Sequence, residues 1–335
     1  MTAVTAPFGS VFTKTMTMTR FVDDRYGDIS IEPVAPLSLH PGAHVLHYAS
    51  SVFEGLKAHR QPDGGVAVFR LDRHVARMGH SAELLCLPPP PADLLTEMIL
   101  SLVASARDDV PEPPGSLYLR PTLVGTEANV GAAASPPSEG YLYVLASPVG
   151  DYFSGGVRPL RVLVEEERPR STAGFGMVKT GGNYASALRT VVSARRDLGA
   201  DQVLFAPLGV VTETGASNFL LLDGEAVVTS PLDDTYLHGV TRDSVLQLAD
   251  HLGYAVHERP LEVSDVLAWA QRPDGEAALS GTAAVMSGVG TLIHRGEDLT
   301  VGTGAVGPST LRLRNHLADI QTGKAPDLFG WLRRV

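Results

Sequence analysis

Ala173-Gly174-Phe175-Gly176-Met177-Val178-Lys179-Thr180-Gly181-Gly182-Asn183-Tyr184 is the stretch on which the reading of this chain turns. A lone lysine sits among glycines just ahead of a helical pattern. Glycine lets backbone approach a ligand closely. A lysine held in so tight a place can give up its charge and act as a nucleophilic amine. The segment starts like a dinucleotide fingerprint, but Lys179 stands where the last glycine is needed. It also misses the phosphate-loop spacing, since no glycine immediately precedes the lysine. Neither nucleotide class is supported.

Working outward, Tyr184 to Leu198 reads as a helix stopped by Gly199. Strand patterns follow at Gln202 to Ala206, Asn218 to Leu222 and Ala226 to Val228. Thr241 to Leu252 is a second helix ended by Gly253, Val256 to Arg259 a strand, and Ser264 caps a short helix through Trp269. Ala277 to Leu279 is a strand leading into Ser280-Gly281-Thr282-Ala283. Upstream of the lysine, Val66 to Arg70 reads as a strand. Asp72 is the expected N-cap of a helix carrying Val75, Met78, Ala82 and Leu85 at helical spacing. Asp93 to Arg107 is another helix between two proline-rich stretches, Pro88 to Pro91 and Pro111 to Pro114. Strands recur at Ser116 to Leu119 and Tyr141 to Ala146. The turn-rich Ser147 to Gly156 reads as a linker, and a strand starts at Leu160. The pattern is α+β (mixed α/β). It divides into a small N-terminal domain (1–147), an interdomain loop (148–157) and a larger C-terminal domain (158–335) that carries Lys179.

Composition narrows the function. The chain has 335 residues, 44% hydrophobic and 19% charged, with a formal net charge of -10. No basic patch speaks for nucleic acid or an anionic membrane. The single cysteine, Cys86, lies in an apolar stretch and reads as a buried, inert thiol. No apolar run approaches the ~20 residues of a membrane span, and no basic, then apolar leader opens the chain. The expectation is a cytoplasmic protein. His40, His44 and His47 have metal-like spacing, but Pro41 and Gly42 argue against a helix there. They read as structural or substrate-lining residues, and no metal is expected.

Three further constellations could carry chemistry. Leu237-His238-Gly239-Val240-Thr241 opens a helix, whose free N–H groups suit a phosphate. Ser280-Gly281-Thr282-Ala283 could cradle an anion. Glu213, among small polar residues, is either a solvated turn carboxylate or a buried acid facing a cation.

In this order and spacing, Lys179-Thr180-Gly181-Gly182-Asn183-Tyr184, Thr212-Glu213-Thr214-Gly215, Gly239-Val240-Thr241-Arg242-Asp243 and Ser280-Gly281-Thr282-Ala283-Ala284 resemble the branched-chain amino-acid aminotransferases. These are class IV, fold-type IV enzymes that depend on pyridoxal 5′-phosphate. Leu46-His47-Tyr48, Phe53-Glu54-Gly55-Leu56-Lys57-Ala58, Val68-Phe69-Arg70 and Leu117-Tyr118-Leu119-Arg120-Pro121 agree, and the resemblance runs from about Phe12 to Trp331. It implies two α/β domains with the cofactor between them. It also implies a homodimer, and exchange of an amino group between a branched-chain or other hydrophobic L-amino acid and 2-oxoglutarate.

The resemblance assigns roles. Lys179 would form the internal Schiff base and move the proton between the substrate α-carbon and the cofactor. Glu213 would pair with the pyridine nitrogen, and Tyr184 with the ring oxygen. Arg70, Val240, Thr241 and Thr282 would hold the phosphate. Thr282 and Ala283 would bind the substrate carboxylate. Tyr48 (from the partner subunit), Phe53 and Tyr118 would line the side-chain pocket, with Arg120 receiving a distal carboxylate and Tyr152 on the covering loop. Ala216-Ser217 and Ser287-Gly288 depart from the family pattern, replacing larger or stiffer residues. Rival readings are a specialised paralogue, a D-amino-acid transaminase, an aminodeoxychorismate-type lyase and a non-catalytic cofactor-binding protein.

Overall fold

A computed structural model describes residues 7–151 and 157–335. Two compact units divide the chain. The first comprises Met1–Tyr152, Val178–Gly181 and Ile320–Val335, and the second Phe153–Met177 and Gly182–Asp319. Lys179, expected within 158–335, therefore belongs by packing to the first unit.

The first unit is built on a nine-stranded sheet. Its elements in chain order are β1 (Thr15–Val22), β2 (Arg25–Tyr26), β3 (Ser30–Pro33), α1 (His44–Tyr48), β4 (Ser51–Phe53), β5 (Leu56–Arg60), β6 (Val66–Phe69), α2 (Leu71–Leu84), α3 (Ala92–Ser105), β7 (Ser116–Gly125) and β8 (Glu139–Val149). Among the described residues, every pairing in this sheet is antiparallel. Leu95, Met98, Ile99 and Leu102 of α3 recur at helical spacing and are fully buried. That helix packs on β1 and β8, and the Thr17 hydroxyl of β1 donates to the Met98 carbonyl.

The second unit holds β9 (Leu160–Glu165), α4 (Gly181–Leu198), β10 (Gln202–Phe205), β11 (Asn218–Leu222), β12 (Ala226–Thr229), α5 (Val240–His251), β13 (Ala255–Glu258), α6 (Val263–Ala270), β14 (Glu276–Gly281), β15 (Val285–His294), β16 (Glu297–Thr300) and α7 (Pro308–Gln321). Its eight-stranded sheet is mixed, with β9 parallel to β10 and β15, and β12 parallel to β13. Val162, Leu204, Phe219, Leu221, Leu261, Leu279 and Leu292 centre its core. The final strand β17 (Leu332–Arg334) returns to pair with β6 in the first sheet.

Several local expectations are corrected. Asp72 is not the cap of α2. Arg70 takes that place in the left-handed region at φ 50°, and Asp72 falls inside the first turn. Ser264 does not cap α6, because Glu262 and Asp265 form a reciprocal capping box around it. The linker starts later than expected, since Ser147, Pro148 and Val149 continue β8 against β7. A short helix does follow Pro41 and Gly42, but it starts at His44 and excludes His40. These histidines serve local structure. His44 meets the Ser50 hydroxyl and the Ala132 and Ser135 carbonyls, and His47 the Pro41 carbonyl. Cys86 is exposed rather than buried, because α2 stops at Leu84 and Cys86 turns out of the helix at φ 55°. Ser287 and Gly288 lie within β15, paired with Leu279 and Ala278. A Cβ at Gly288 would come within 2.8 Å of Val306, so close packing calls for that glycine.

Candidate active site

In the first unit, several functional candidates gather around Lys179. Its N–H donates to the Ser81 hydroxyl of α2 at 3.1 Å, and its carbonyl accepts from Phe53 N–H at 3.0 Å. Thr180 bridges Val52, so the lysine segment extends the edge of β4. The lysine Nζ lies 5.0 Å from the centre of the Phe53 ring. On the next part of the same wall, the Arg120 guanidinium sits 4.6 Å from the Phe53 ring centre and donates to the Tyr118 hydroxyl at 2.7 Å. The Phe8 ring meets Tyr118 edge-on at 4.9 Å. Gly55 makes room for this arrangement, since a Cβ there would fall 2.1 Å from the Tyr118 hydroxyl oxygen. Lys179, Phe53, Tyr118 and Arg120 are thus one continuous set.

Arg70, at the start of α2, is buried. Its N–H donates to the Trp331 carbonyl at 2.7 Å and its guanidinium lies 5.2 Å from the Trp331 ring centre. Tyr48 is half-buried, its hydroxyl donating to the Val130 carbonyl. Tyr152 lies outside the described residues.

A buried polar cluster backs this wall; Glu54 stands in the Phe53-Glu54-Gly55 motif, but the linear pattern gives no sign of its partners His74 and Arg77. Glu54 follows Phe53 and is 1% exposed. Arg77 grips its carboxylate at 2.6 and 2.9 Å, and His74 Nδ1 donates at 2.7 Å. Burial alone would raise the Glu54 carboxyl, but the Arg77 charge and these hydrogen bonds outweigh it and hold it well below the usual carboxylate range. Burial pushes the His74 imidazole down, with the neighbouring Arg77 and Lys179 charges adding to that against the pull of Glu54. The pair is therefore a carboxylate facing a neutral imidazole.

In the second unit, Glu213 is the buried acid facing a cation. It is 2% exposed, and Arg170, also 2% exposed, brings Nη1 to within 2.7 Å of Oε1. That contact is a charge contact rather than an aligned hydrogen bond, as Nη1 meets no acceptor in line among the described residues. Arg170 also donates to the Gly215 carbonyl and lies 5.2 Å from the ring centre of Tyr184. Arg170 was not expected from the sequence, where its only signal is nearness to the glycine-rich loop. Glu213 Oε1 further accepts the Leu237 N–H at 3.0 Å, which ties the acid to the loop entering α5.

That loop is shaped for an anion. Val240 and Thr241 open α5, and its N-cap residue, Gly239, has no side chain with which to cap it. The terminal N–H groups and the positive end of the helix dipole suit a phosphate. Gly239 is needed there, since a Cβ would sit 1.9 Å from Asn218 Oδ1. The half-buried turn Thr282-Ala283-Ala284 follows β14, and Arg314 of α7 clamps it by donating to the Ala284 and Met286 carbonyls. Val285, a β-branched residue at φ 63°, marks strain at the end of this turn. In the departing segment, Thr214 and Ser217 hydrogen-bond each other around the turn after Glu213, and the Ser217 hydroxyl lies where a Cβ on Gly281 would meet it at 3.0 Å.

A lysine in a glycine-rich loop, a buried acid and an uncapped helix terminus are the parts that an aldehyde cofactor with a phosphate tail requires. Residues 51–289 match the family model of amino-transferase class IV, and the chain belongs to that family. Aminotransferases of this class work with pyridoxal 5′-phosphate. A probable branched-chain-amino-acid aminotransferase of Streptomyces coelicolor is 40% identical over 98% of this chain and 92% of its own length. A branched-chain-amino-acid aminotransferase of Mycolicibacterium smegmatis is 37% identical over 98% and 92%. A branched-chain amino acid aminotransferase from T.th., solved in complex with N-(5′-phosphopyridoxyl)-L-glutamate, has a TM-score of 0.75 at 27% identity, covering 94% of this chain and 97% of its own.

Proposed function

We propose that this chain transfers an amino group from a branched-chain or other hydrophobic L-amino acid to 2-oxoglutarate, with Lys179 as the reacting amine. The observation that carries the reading is Lys179 itself. Its backbone is held on both sides and its Nζ stands against the Phe53 ring, beside the apolar and cationic wall of Tyr118 and Arg120. The names of the relatives and the glutamate adduct in the T.th. enzyme support the two substrates.

Bound pyridoxal phosphate supplies an aldehyde that takes up the amino group and a ring that accepts the electron pair left at the α-carbon. The uncapped N-terminus of α5, with Val240 and the Thr241 hydroxyl, would hold its phosphate together with Arg70 and Thr282. Glu213, anchored by Arg170 and Leu237 N–H, would keep a proton on the ring nitrogen, and Tyr184 would meet the ring oxygen. Lys179, free of its proton at the moment of transfer, would take the α-proton and give it back to the cofactor carbon on the far side of the transferred nitrogen. Phe53 and Tyr118 suit an aliphatic side chain, whereas Arg120 can meet the distal carboxylate of 2-oxoglutarate. Thr282 and Ala283 would hold the α-carboxylate.

The chain works as a cytoplasmic homodimer in this reading. Exposed Leu46 and Val130 flank Tyr48 and offer an apolar patch to a second copy. Among the described residues, no helix is long and apolar enough to cross a membrane.

The test is a panel of L- and D-amino donors against 2-oxoglutarate, run beside Lys179→Ala. Turnover should favour branched-chain L-donors and vanish in the variant. Preference for D-donors, or near-normal turnover without Lys179, would overturn the reading.

A further inference from the structure

Helix α2 carries a stripe of polar residues that the transamination chemistry leaves unused. His74, Arg77 and Ser81 stand at i, i+3 and i+7, on one face, and Arg70 lies four residues before His74. Ser81 is fully buried, and its hydroxyl receives the Lys179 N–H. The Lys179 carbonyl is taken by Phe53 N–H, and the next residue, Glu54, is bound back to α2 through His74 and Arg77. The contacts close a ring that runs from Ser81 through Lys179, Phe53 and Glu54 to His74 and Arg77, and along the helix to Ser81 again.

We propose that Ser81 is a positioning residue for the Lys179 amine, and that α2 acts as a rigid ruler setting that amine relative to Arg70 at the head of the same helix. The inference rests on the reading of Lys179 as the reacting amine. A lysine amine ends a flexible four-carbon stem, so the position of its backbone sets which atoms it can serve. Moving a proton between two carbons on either side of one nitrogen demands that the amine reach both, and a misplacement of about 1 Å can cost roughly 100-fold in rate. The Ser81 contact fixes the backbone on the N–H side, opposite the Phe53 contact. The Glu54 cluster keeps Phe53 and α2 from moving apart. His74 N–H also donates to the Arg70 carbonyl, so the ruler starts at the arginine expected to hold phosphate.

The experiment compares the holoenzyme with Ser81→Ala, which removes the acceptor, and Ser81→Cys, which nearly keeps the volume but accepts weakly. Two quantities are read: kcat and KM for leucine and 2-oxoglutarate, and the pH midpoint of the visible band of the lysine-bound cofactor. In Ser81→Ala, kcat should fall at least ~10-fold with KM within about twofold, as expected for loss of orientation rather than binding. The band midpoint should move by about half a pH unit or more, and Ser81→Cys should lie between wild type and Ala on both readings. Should Ser81→Ala fail to fold, Ser81→Cys decides on the same two quantities. A kcat within about twofold with an unmoved midpoint, or a raised KM at unchanged kcat, overturns the proposal.

The assignment of the amine is tested separately. The chain has four lysines: Lys14, Lys57, Lys179 and Lys324. After borohydride trapping, peptide mapping of the wild type must find the cofactor on Lys179. Cofactor on another lysine refutes the amine assignment itself, whereas cofactor on Lys179 with indifferent Ser81 variants refutes only the ruler.

Discussion

Arg170→Leu should strike the second unit at its most vulnerable electrostatic contact. Arg170 and Glu213 are each 2% exposed and approach to 2.7 Å. Leucine fills part of the space but leaves the Glu213 carboxylate buried without its cation. Breaking such a pair from one side typically costs about 3–5 kcal/mol. The stacking of the guanidinium against Tyr184 adds roughly 0.5–1 kcal/mol and the hydrogen bond to Gly215 about 1 kcal/mol. The expected loss is about 4.5–7 kcal/mol, a large part of the ~5–15 kcal/mol that holds a typical protein folded. Urea denaturation of wild type, Arg170→Leu, Glu213→Gln and the double variant measures it. Because the neutral amide removes the uncompensated charge, the double variant should be at least ~1 kcal/mol more stable than the sum of the single losses allows. Strict additivity, or a loss below about 1 kcal/mol in Arg170→Leu, would refute the claim that the two charges depend on each other.

The Glu54 hub predicts a pH-dependent cost. Its carboxyl is held below its unfolded value of ~4.3, so its contribution is fully present above that pH and is lost as pH falls through the lower folded value. The urea-midpoint gap between wild type and Glu54→Gln should therefore be widest near neutrality and narrow in acid; a gap that ignores pH argues against an ionised Glu54. Gly239→Ala drives a Cβ to 1.9 Å from Asn218 Oδ1 and should weaken cofactor retention at least ~10-fold, read by equilibrium dialysis. Unchanged retention would remove the α5 entry loop from the phosphate site. Gly55→Ala forces the Tyr118 hydroxyl off Arg120 and should raise KM for 2-oxoglutarate several-fold more than KM for leucine. Equal effects on both would detach Arg120 from the distal carboxylate.

Local rules carried far along this chain. The bounding proline-rich stretches placed α3 to within a few residues, and the glycines after α4 and α5 stop them with positive φ at Gly199 and Gly253. Rules failed where a distant partner competes with a local one. Asp72 is a good cap in isolation, yet Arg70 holds the start of α2 because its N–H is bound to Trp331, far along the chain. Ser287-Gly288 looks loose in sequence, but ladder pairing and the approach of Val306 make it part of a strand. β1 alternates threonine and methionine from Thr15 to Thr19, but burial does not follow that alternation, since Met16 to Thr19 are buried in a row.

The sequence by itself determined the family and singled out the candidate amine, acid and phosphate-binding turn, because each lies in a short run whose residue types the chemistry demands. Only the tertiary structure decided what supports them. Arg170 meets Glu213 across 43 positions of sequence (213 − 170), and Ser81 meets Lys179 across 98. Such partners leave no local pattern, since a buried charge or backbone donor requires only that something complementary arrive in space. Lys179 is legible in one dimension. The frame that aims it exists only in three.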